Sequence, residues 1–148
     1  MAHVRKQIRD RIASVLASGV TSVSSRVYTS RVYPMTSADL PAITVYIGSE
    51  QSNLITIGTS KSLGRRLAIN IDIYARSTSN LDDSIDAIAV EVEEAIAGDF
   101  TVNGLAKEAI LSATNIEYSG EAEQPVGIAR LSYDVLYHTT VADPSTAK

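Results

Sequence analysis

The chain has 148 residues, of which 45% are hydrophobic, and a formal net charge of −4 at pH 7. This length favours one domain with a real core, because such a chain can bury about 70% of the surface that its unfolded form exposes. The absence of cysteine excludes disulfides, thiolate nucleophiles and cysteine-ligated metal sites. No apolar run reaches the roughly 20 residues of a membrane-spanning helix, and charges interrupt the N-terminal segment, so neither a membrane span nor a signal peptide is expected.

The charges are distributed unevenly along the chain. Residues 1–31 carry six Lys or Arg against one Asp, which gives +5, whereas residues 77–124 carry one Lys against eleven Asp or Glu, which gives −10. Such polarity biases how copies or partners approach one another. The alternative interpretation is that two solvated helix faces merely differ in sign.

The first segment predicts an amphipathic helix from about Val4 to Ser18, which Gly19 ends. The apolar residues that recur at helical spacing and would form its buried stripe are Val4, Ile8, Ile12 and Val15 or Leu16. The opposite face is basic. It lacks the aromatic residues and the dense Lys/Arg of a strong nucleic-acid site, so binding of nucleic acid or anionic lipid is not expected.

The next part of the chain predicts strands and a long hairpin. Residues 26–33 form an extended pattern that Pro34 ends, and the alternation of Ala42–Ile47 predicts a strand. The following stretch, Gly48–Gly64, is rich in Ser, Thr and Gly, yet it contains three aliphatic residues near its middle. A connection of this length is uncommon in a compact domain and is often functional. We expect a protruding hairpin whose tip meets another subunit; the alternative is a loop folded back on its own domain.

A strand and a second amphipathic helix follow. Arg66–Ala75 alternates aliphatic and polar residues, which predicts a strand with one core face. The helix is predicted over Leu81–Ala97, with Asn80 as its N-cap and acidic residues in its first turn, where the helix dipole favours them. The residues expected in its buried stripe are Leu81, Ile85, Ile88, Val92 and Ile96.

Two closing strands complete the pattern, over Ile110–Tyr118 and Gly127–Thr140, and residues 141–148 are expected to be disordered. The element order is α-β-β-β-α-β-β within a single domain whose core spans about 4–140. One-sided helices and strands imply an α+β fold, a two-layer sandwich with a mostly antiparallel or mixed sheet and both helices on one sheet face. The other, polar sheet face must then meet water or another chain.

The chain carries no motif with catalytic specificity. It has no nucleophile elbow and no phosphate-binding loop, and its two histidines, His3 and His138, are expected at a frayed terminus and at a strand end. Asp82, Asp83 and Asp86 could be imagined as a magnesium site, but the helix dipole explains their placement more simply. We therefore expect no metal, no cofactor and no enzymatic activity.

One observation would reverse that expectation. A deep pocket lined by Asp72, Arg130 and Asp134 would indicate a small ligand-binding or enzymatic domain, because such pockets combine apolar walls with a few convergent polar groups.

Four segments carry a resemblance to a known family. They are the strand Leu40–Ile47, the strand Arg65–Ala75, the acidic helix Leu81–Ala97 that follows it, and the long closing strand Ile128–His138. In this layout the chain resembles the tail terminator and tail completion proteins of long-tailed bacteriophages, the minor tail protein U group, over about residues 4–140. The likeness lies in the layout rather than in an invariant motif.

The resemblance implies a structural virion protein. Such proteins form a ring of six subunits that caps the polymerised tail tube, stops its growth and presents a surface to the head connector. The implied partners are other copies of this chain, the major tail tube protein and the head–tail connector, with DNA passing through the ring without specific binding and with no membrane. Assembly would occur in the host cytoplasm, and the finished protein would lie in the virion tail or neck. A different head–tail neck or completion protein is the alternative.

The candidate interface residues lie on the hairpin and on the polar sheet face. On the hairpin and the start of the strand after it they are Leu54, Ile55, Ile57, Lys61, Arg65 and Arg66, and on the sheet face they are Asn70, Asp72, Tyr74, Arg130 and Asp134.

Overall fold

The computed structural model describes residues 2–23, 26–29, 41–58, 61–76, 80–119 and 126–148. Two α-helices and five strands make up these ranges, besides a short 3₁₀ turn at Thr21–Val23. In chain order they are α1 (Val4–Gly19), β1 (Val27–Tyr28), β2 (Ala42–Leu54), β3 (Ser62–Arg76), α2 (Leu81–Ala97), β4 (Glu108–Ser119) and β5 (Val126–Thr140). The order and type of the elements are those that the sequence predicts.

The strands form one mixed sheet in the order β1-β2-β3-β5-β4. β1 runs parallel to β2, and every other neighbouring pair is antiparallel. α1 packs on β1 and β2, α2 packs mainly on β3 and β5, and the two helices contact each other. The α+β sandwich with a mixed sheet and helices packed on it is therefore confirmed.

The core lies between the helices and the aliphatic face of the sheet. The stripe of α1 is buried as predicted, with Leu16 inside and Val15 only partly covered. Along α2 the predicted stripe is also buried, except that Leu81 lies at its margin. On the sheet, alternate residues of β3 and β5 supply the facing layer, as the period-2 alternation requires.

A glycine fixes how closely α2 approaches the sheet. A Cβ added at Gly127 would lie 2.4 Å from Ile85 Cδ1 and 3.2 Å from Leu81 Cγ. The first turns of α2 therefore rest directly on the backbone of β5, over the end of the strand where the chain enters it. Because α2 sits there, it leaves the outer strand β4 largely uncovered.

The hairpin strands are longer than predicted. β2 continues to Leu54 and β3 begins at Ser62, and they remain paired as far as Leu54 opposite Leu63. A bulge between Ile47 and Glu50 shifts the register, which places Glu50 on the same side of the sheet as the core residue Leu67. The predicted strand ended at Ile47 because the hydrophobic alternation stops there, although the backbone pairing does not.

The C-terminal residues differ from the expected disordered tail. The Val4 amide donates to Pro144 O at 2.9 Å, the Gln7 side-chain amide donates to Ser145 O at 2.8 Å, and the Lys148 amide donates to His138 O at 2.8 Å. Residues 141–148 thus lie against the start of α1 and the end of β5. These partners are distant in sequence, so composition alone could not indicate them.

The ends of both helices depart from the predicted details. His3, expected to be frayed, is the N-cap of α1, and its Nδ1 accepts from the Arg5 amide at 3.2 Å. Asn80 occupies the N-cap position of α2, but its side chain makes no capping bond to the helix backbone. The extended pattern is observed at Val27–Tyr28, while residues 30–40 lie outside the described part. Neither described helix combines the length and the apolar character needed to cross a membrane.

Candidate interaction surfaces

The polar face of the sheet is less open than predicted. Asp72 is fully buried (0% exposed), and its carboxylate accepts from Arg130 Nε at 2.9 Å, from Arg130 Nη2 at 3.3 Å and from the Tyr46 hydroxyl at 3.1 Å. The register places Asp72 directly opposite Arg130, so the two-pronged pair follows from strand pairing. Asp72 therefore stabilises the sheet and is not accessible on the surface of one chain, which corrects its assignment to an interface.

The remaining polar-face candidates divide in the same way. Tyr74 is buried, which also corrects its assignment. Asn70 is half-buried, and its side-chain oxygen accepts from the Ser132 hydroxyl at 2.9 Å. Asp134 is also half-buried, in β5. Of the predicted sheet-face residues, Asn70, Arg130 and Asp134 thus keep some exposure. The carboxylate of Asp72 is already bound by Arg130 within the chain.

An ionic cluster lies on the core side of the hairpin base. Glu50 Oε2 accepts from Arg5 of α1 at 2.9 Å and from Arg65 of β3 at 3.2 Å, and Glu50 Oε1 accepts a short hydrogen bond from the Tyr137 hydroxyl. The Glu50 and Arg65 side chains are each only 10% exposed, and Arg65 also donates to Thr139 Oγ1. Arg65 is therefore a structural residue rather than a free interface residue.

The hydroxyl group of Tyr137 is held in its neutral form by this environment. Burial, then the hydrogen bond to Glu50 and the charge of that carboxylate, raise the pKa of Tyr137, and the Arg65 and Arg5 charges oppose them only in part. The cluster joins α1, β2, β3 and β5 at one point. It secures the base from which the hairpin projects.

The hairpin tip presents aliphatic side chains to solvent, as the sequence predicts. Leu54 is 54% exposed, Ile55 46% and Ile57 100%. The backbone around them is still organised, since the Ile55 amide donates to Ser62 O at 3.0 Å and the Ser62 amide donates to Thr56 Oγ1 at 2.7 Å. The alternative of a loop folded back on its own domain does not describe Ile57. Three exposed aliphatic side chains thus lie within a four-residue stretch at the tip.

Two basic residues accompany the tip. Lys61 and Arg66 are exposed, and neither forms an ion pair within the described ranges. The basic face of α1 is different, because its charges are largely compensated. Asp10 bridges its two neighbouring cations, and Asp99 binds Arg11 at 3.0 Å. Among the described residues, the positive charges of Lys61 and Arg66 beside the hairpin tip are therefore not neutralised by an ion pair within the chain.

The acidic face of α2 remains uncompensated. Its exposed carboxylates are Asp82, Asp83, Asp86, Glu93 and Glu94. None of them forms an ion pair within the described part of the chain. The sequence asymmetry thus persists on the surface mainly as a negative helix face.

A second partly apolar surface, which the sequence did not predict, lies on β4. On the helix side of β4, Thr114, Ile116 and Tyr118 stand opposite Leu131, Ala129 and Gly127 of β5. Ile116 is 42% exposed and Tyr118 51%, because α2 rests mainly on β3 and β5 and covers this edge strand only in part. We call these three β4 residues the ledge. The alternation of the strand could have indicated two faces, but not which one the helix leaves open.

Acidic side chains of α2 form a wall along the ledge. Leu81 and Ile85 at the start of α2 lie against Gly127, the β5 partner of Tyr118, so the first turns of α2 run beside the ledge. A hydrogen bond to Asp82, then burial and the charges of Asp82 and Asp86, raise the pKa of the Tyr118 hydroxyl. Farther along α2, Glu93 lies near Tyr133, the β5 tyrosine paired with Leu111 of β4. Intervals of four and seven residues put these acids on one side of the helix. We call Asp82, Asp86 and Glu93 the acidic wall.

The described residues contain no cluster of three or more His, Asp or Glu that could hold a metal ion. Asp72 and Arg130, two of the residues that a deep enzymatic pocket was expected to expose, bind each other at 2.9 Å. The described surfaces with the clearest chemical character are the hairpin tip, the half-open sheet face, the acidic wall and the ledge.

Comparison with known proteins gives one family match. The family model described as phage minor tail protein U matches residues 3–137. Among solved structures, a chain of the "Virion of native gene transfer agent (GTA) particle" is similar, with 17% sequence identity, 90% of this chain and 92% of that chain covered, and a TM-score of 0.43. No curated protein matches. At that identity and TM-score the structural likeness carries no functional argument, whereas the family match spans most of the chain.

Proposed function

The chain belongs to the phage minor tail protein U family and is a structural protein of the virion tail, and we propose that it acts there as a tail terminator. In this role it binds the end of the polymerised tail tube as a homo-oligomeric ring of six subunits, stops tube growth and provides the joining surface for the head connector. DNA passes through the ring without being bound specifically. The protein works through its surfaces and not as an enzyme.

The exposed hairpin tip is the observation that carries this proposal. Ile57 is 100% exposed at the end of a paired, anchored hairpin, and an isolated soluble chain gains nothing from holding an aliphatic side chain there. Burial against a neighbouring subunit or the tube would remove that apolar surface from water, at about 25 cal/mol per Å². The cluster around Glu50 supports the same role, because it fixes the hairpin base before any partner binds.

The tip is tested by replacing Leu54 and Ile57 with Ser. When purified chain is added to polymerising tail tube subunits, the unchanged protein should give short tubes with closed ends, measured by electron microscopy. The double variant should leave tube growth nearly unchecked. Its thermal stability should change by less than about 1 kcal/mol, because both side chains are largely exposed already.

A matched control is available in Phe100→Ser, since Phe100 is 55% exposed, about as much as Leu54, and lies in the turn after α2. This variant should still cap tubes. Capping by the Leu54 and Ile57 double variant at the level of the unchanged protein would contradict the role of the tip. A large loss of its stability would show instead that these residues belong to the domain core.

The ring makes a separate prediction for light scattering. The chain alone or mixed with tube subunits should give a particle with a mass near six copies, or six copies bound to a tube end. A chain that stays monomeric in isolation is compatible with assembly on the tube. A chain that remains monomeric in the presence of tube subunits would overturn the terminator role.

A further inference from the structure

The hairpin tip and the ledge of one chain lie too far apart to contact each other. The tip lies beyond the pairing of Leu63 with Thr139, whereas the ledge lies near the pairing of Ile116 with Ala129. Ten residues of β5 separate these two positions, which corresponds to about 30 Å at the rise of a β-strand. The two surfaces thus lie towards opposite ends of the sheet, and a contact between them has to join different copies.

The chemistry of the two surfaces is complementary. The tip offers aliphatic side chains together with the basic residues Lys61 and Arg66. The ledge offers an apolar floor in Ile116 and Tyr118 beside the acidic wall of α2, whose first turns lie against Gly127 opposite Tyr118. Opposite charges around an apolar centre favour one docking orientation and raise the rate of encounter.

The backbone of β4 adds to the fit. β4 is the outer strand of the sheet, and β5 is its only partner among the described strands, so one row of its backbone amides and carbonyls faces outward. An uncovered strand edge readily accepts another extended segment. Residues 55–57 continue directly from β2, and can lie against such an edge with Ile57 directed towards the ledge.

We propose that the hairpin tip of one copy docks on the ledge of the next copy, with Lys61 facing the acidic wall. Such a contact is head-to-tail, since the two partners use different surfaces, and it closes into a ring when the rotation between copies permits. This inference rests on the proposed function, because it specifies the subunit contact of the ring. It also gives a use to the negative face of α2, whose charges are uncompensated within the described part of the chain.

The absence of cysteine in the sequence allows a direct test by disulfide trapping. Ile57→Cys and Ile116→Cys variants are mixed under mild oxidation, with and without tube subunits. Cross-linked heterodimer should form at least about tenfold faster than in a mixture of Ile57→Cys with Ser14→Cys, because docking raises the local concentration of the two thiols. Ser14 is the matched control, since it is exposed on α1, away from the ledge.

Three further variants make the test specific. A chain that carries both Ile57→Cys and Ile116→Cys should form a ladder of multimers that ends in a closed species, because a disulfide cannot span the distance between its own tip and ledge. Asp86→Lys in the Ile116→Cys chain should slow its disulfide cross-linking to the Ile57→Cys chain. Lys61→Glu in the Ile57→Cys chain should restore the rate of cross-linking. Trapping no faster than the Ser14→Cys control, with and without tubes, would overturn the inference, as would a double variant that closes within single chains.

The outcome is separable from that of the proposed function. Capped tubes without trapping would leave the terminator role standing and remove this contact. Trapping without capped tubes would establish the contact between copies and remove the terminator role.

Discussion

Replacing Glu50 with Ala is expected to lower the free energy of unfolding by about 3 kcal/mol, because it leaves buried partners without their acceptor. Arg65, 10% exposed, would lose its carboxylate, and the buried Tyr137 hydroxyl would lose its hydrogen bond. Arg5 is more exposed and can turn to water, which keeps the loss at the lower end for a broken buried pair. Urea unfolding measures this loss as a shift of the transition midpoint to a lower urea concentration, while the slope of the unfolding free energy against urea stays the same.

Asp10→Ala provides the matched control for that experiment. Asp10 also bridges two cations, Lys6 and Arg9, but it does so in solvent on the outer face of α1. Exposed pairs contribute about 0–1 kcal/mol, so this variant should unfold close to the unchanged protein. If Glu50→Ala lowered the free energy of unfolding no more than Asp10→Ala does, the cluster around Glu50 would contribute no more to stability than an exposed ion pair. Glu50→Gln should fall between the two, since it keeps the shape and one acceptor but loses the charge.

Glu50 also explains where sequence reasoning stopped short. Ile43, Val45 and Ile47 predict the start of β2 through their alternation, but the next inward position of the strand carries this carboxylate after a bulge. A charged residue on the core side breaks the hydrophobic period, so the pattern indicates a loop. Only the distant cations from α1 and β3 make the position tolerable, and a single sequence does not show that they converge there.

The register of the strands sets a similar limit on the polar sheet face. The alternation of β3 and β5 predicted correctly that Asp72 and Arg130 share a face. It could not predict that they stand directly opposite each other, which turns two candidate interface residues into one internal pair. By contrast, the boundaries of α2 were predicted to the residue, because a Gly stop, acidic first turn and 3.6-residue stripe all indicate the same helix.

The surfaces divide in the same manner. Exposed aliphatic residues inside a polar stretch are visible in the sequence, so the tip at Leu54, Ile55 and Ile57 could be predicted. The ledge could not, because its exposure depends on where α2 crosses the sheet. That position is set by the close approach at Gly127, a contact between elements about 40 residues apart.

Raising the pH from 10 to 12 is expected to remove about 4 kcal/mol of stability through two buried tyrosines, Tyr133 and Tyr137. Burial, with a smaller contribution from Glu93, raises the pKa of Tyr133 from 10 to about 12. Burial and the Glu50 carboxylate raise the pKa of Tyr137 as well. In this range the unfolded chain loses both protons, whereas the folded chain holds them more tightly and Tyr133 loses its proton only as the pH approaches 12. The stabilisation is therefore fully present below pH 10 and is lost as the pH rises through the folded pKa values.

Each tyrosine contributes at most about 1.4 kcal/mol per pH unit, and a loss of about 4 kcal/mol is comparable with the whole stability of a marginal domain. The chain should therefore unfold cooperatively in this range, and a step in phenolate absorbance should coincide with the loss of circular dichroism. Tyr133→Phe should halve the pH slope of the unfolding free energy without removing a hydrogen bond to Glu50. Tyr137→Phe should halve it too, but from a lower starting stability. A slope unchanged in both variants, or phenolate signal from all seven tyrosines in the folded state, would show that these hydroxyls are not protected by the core.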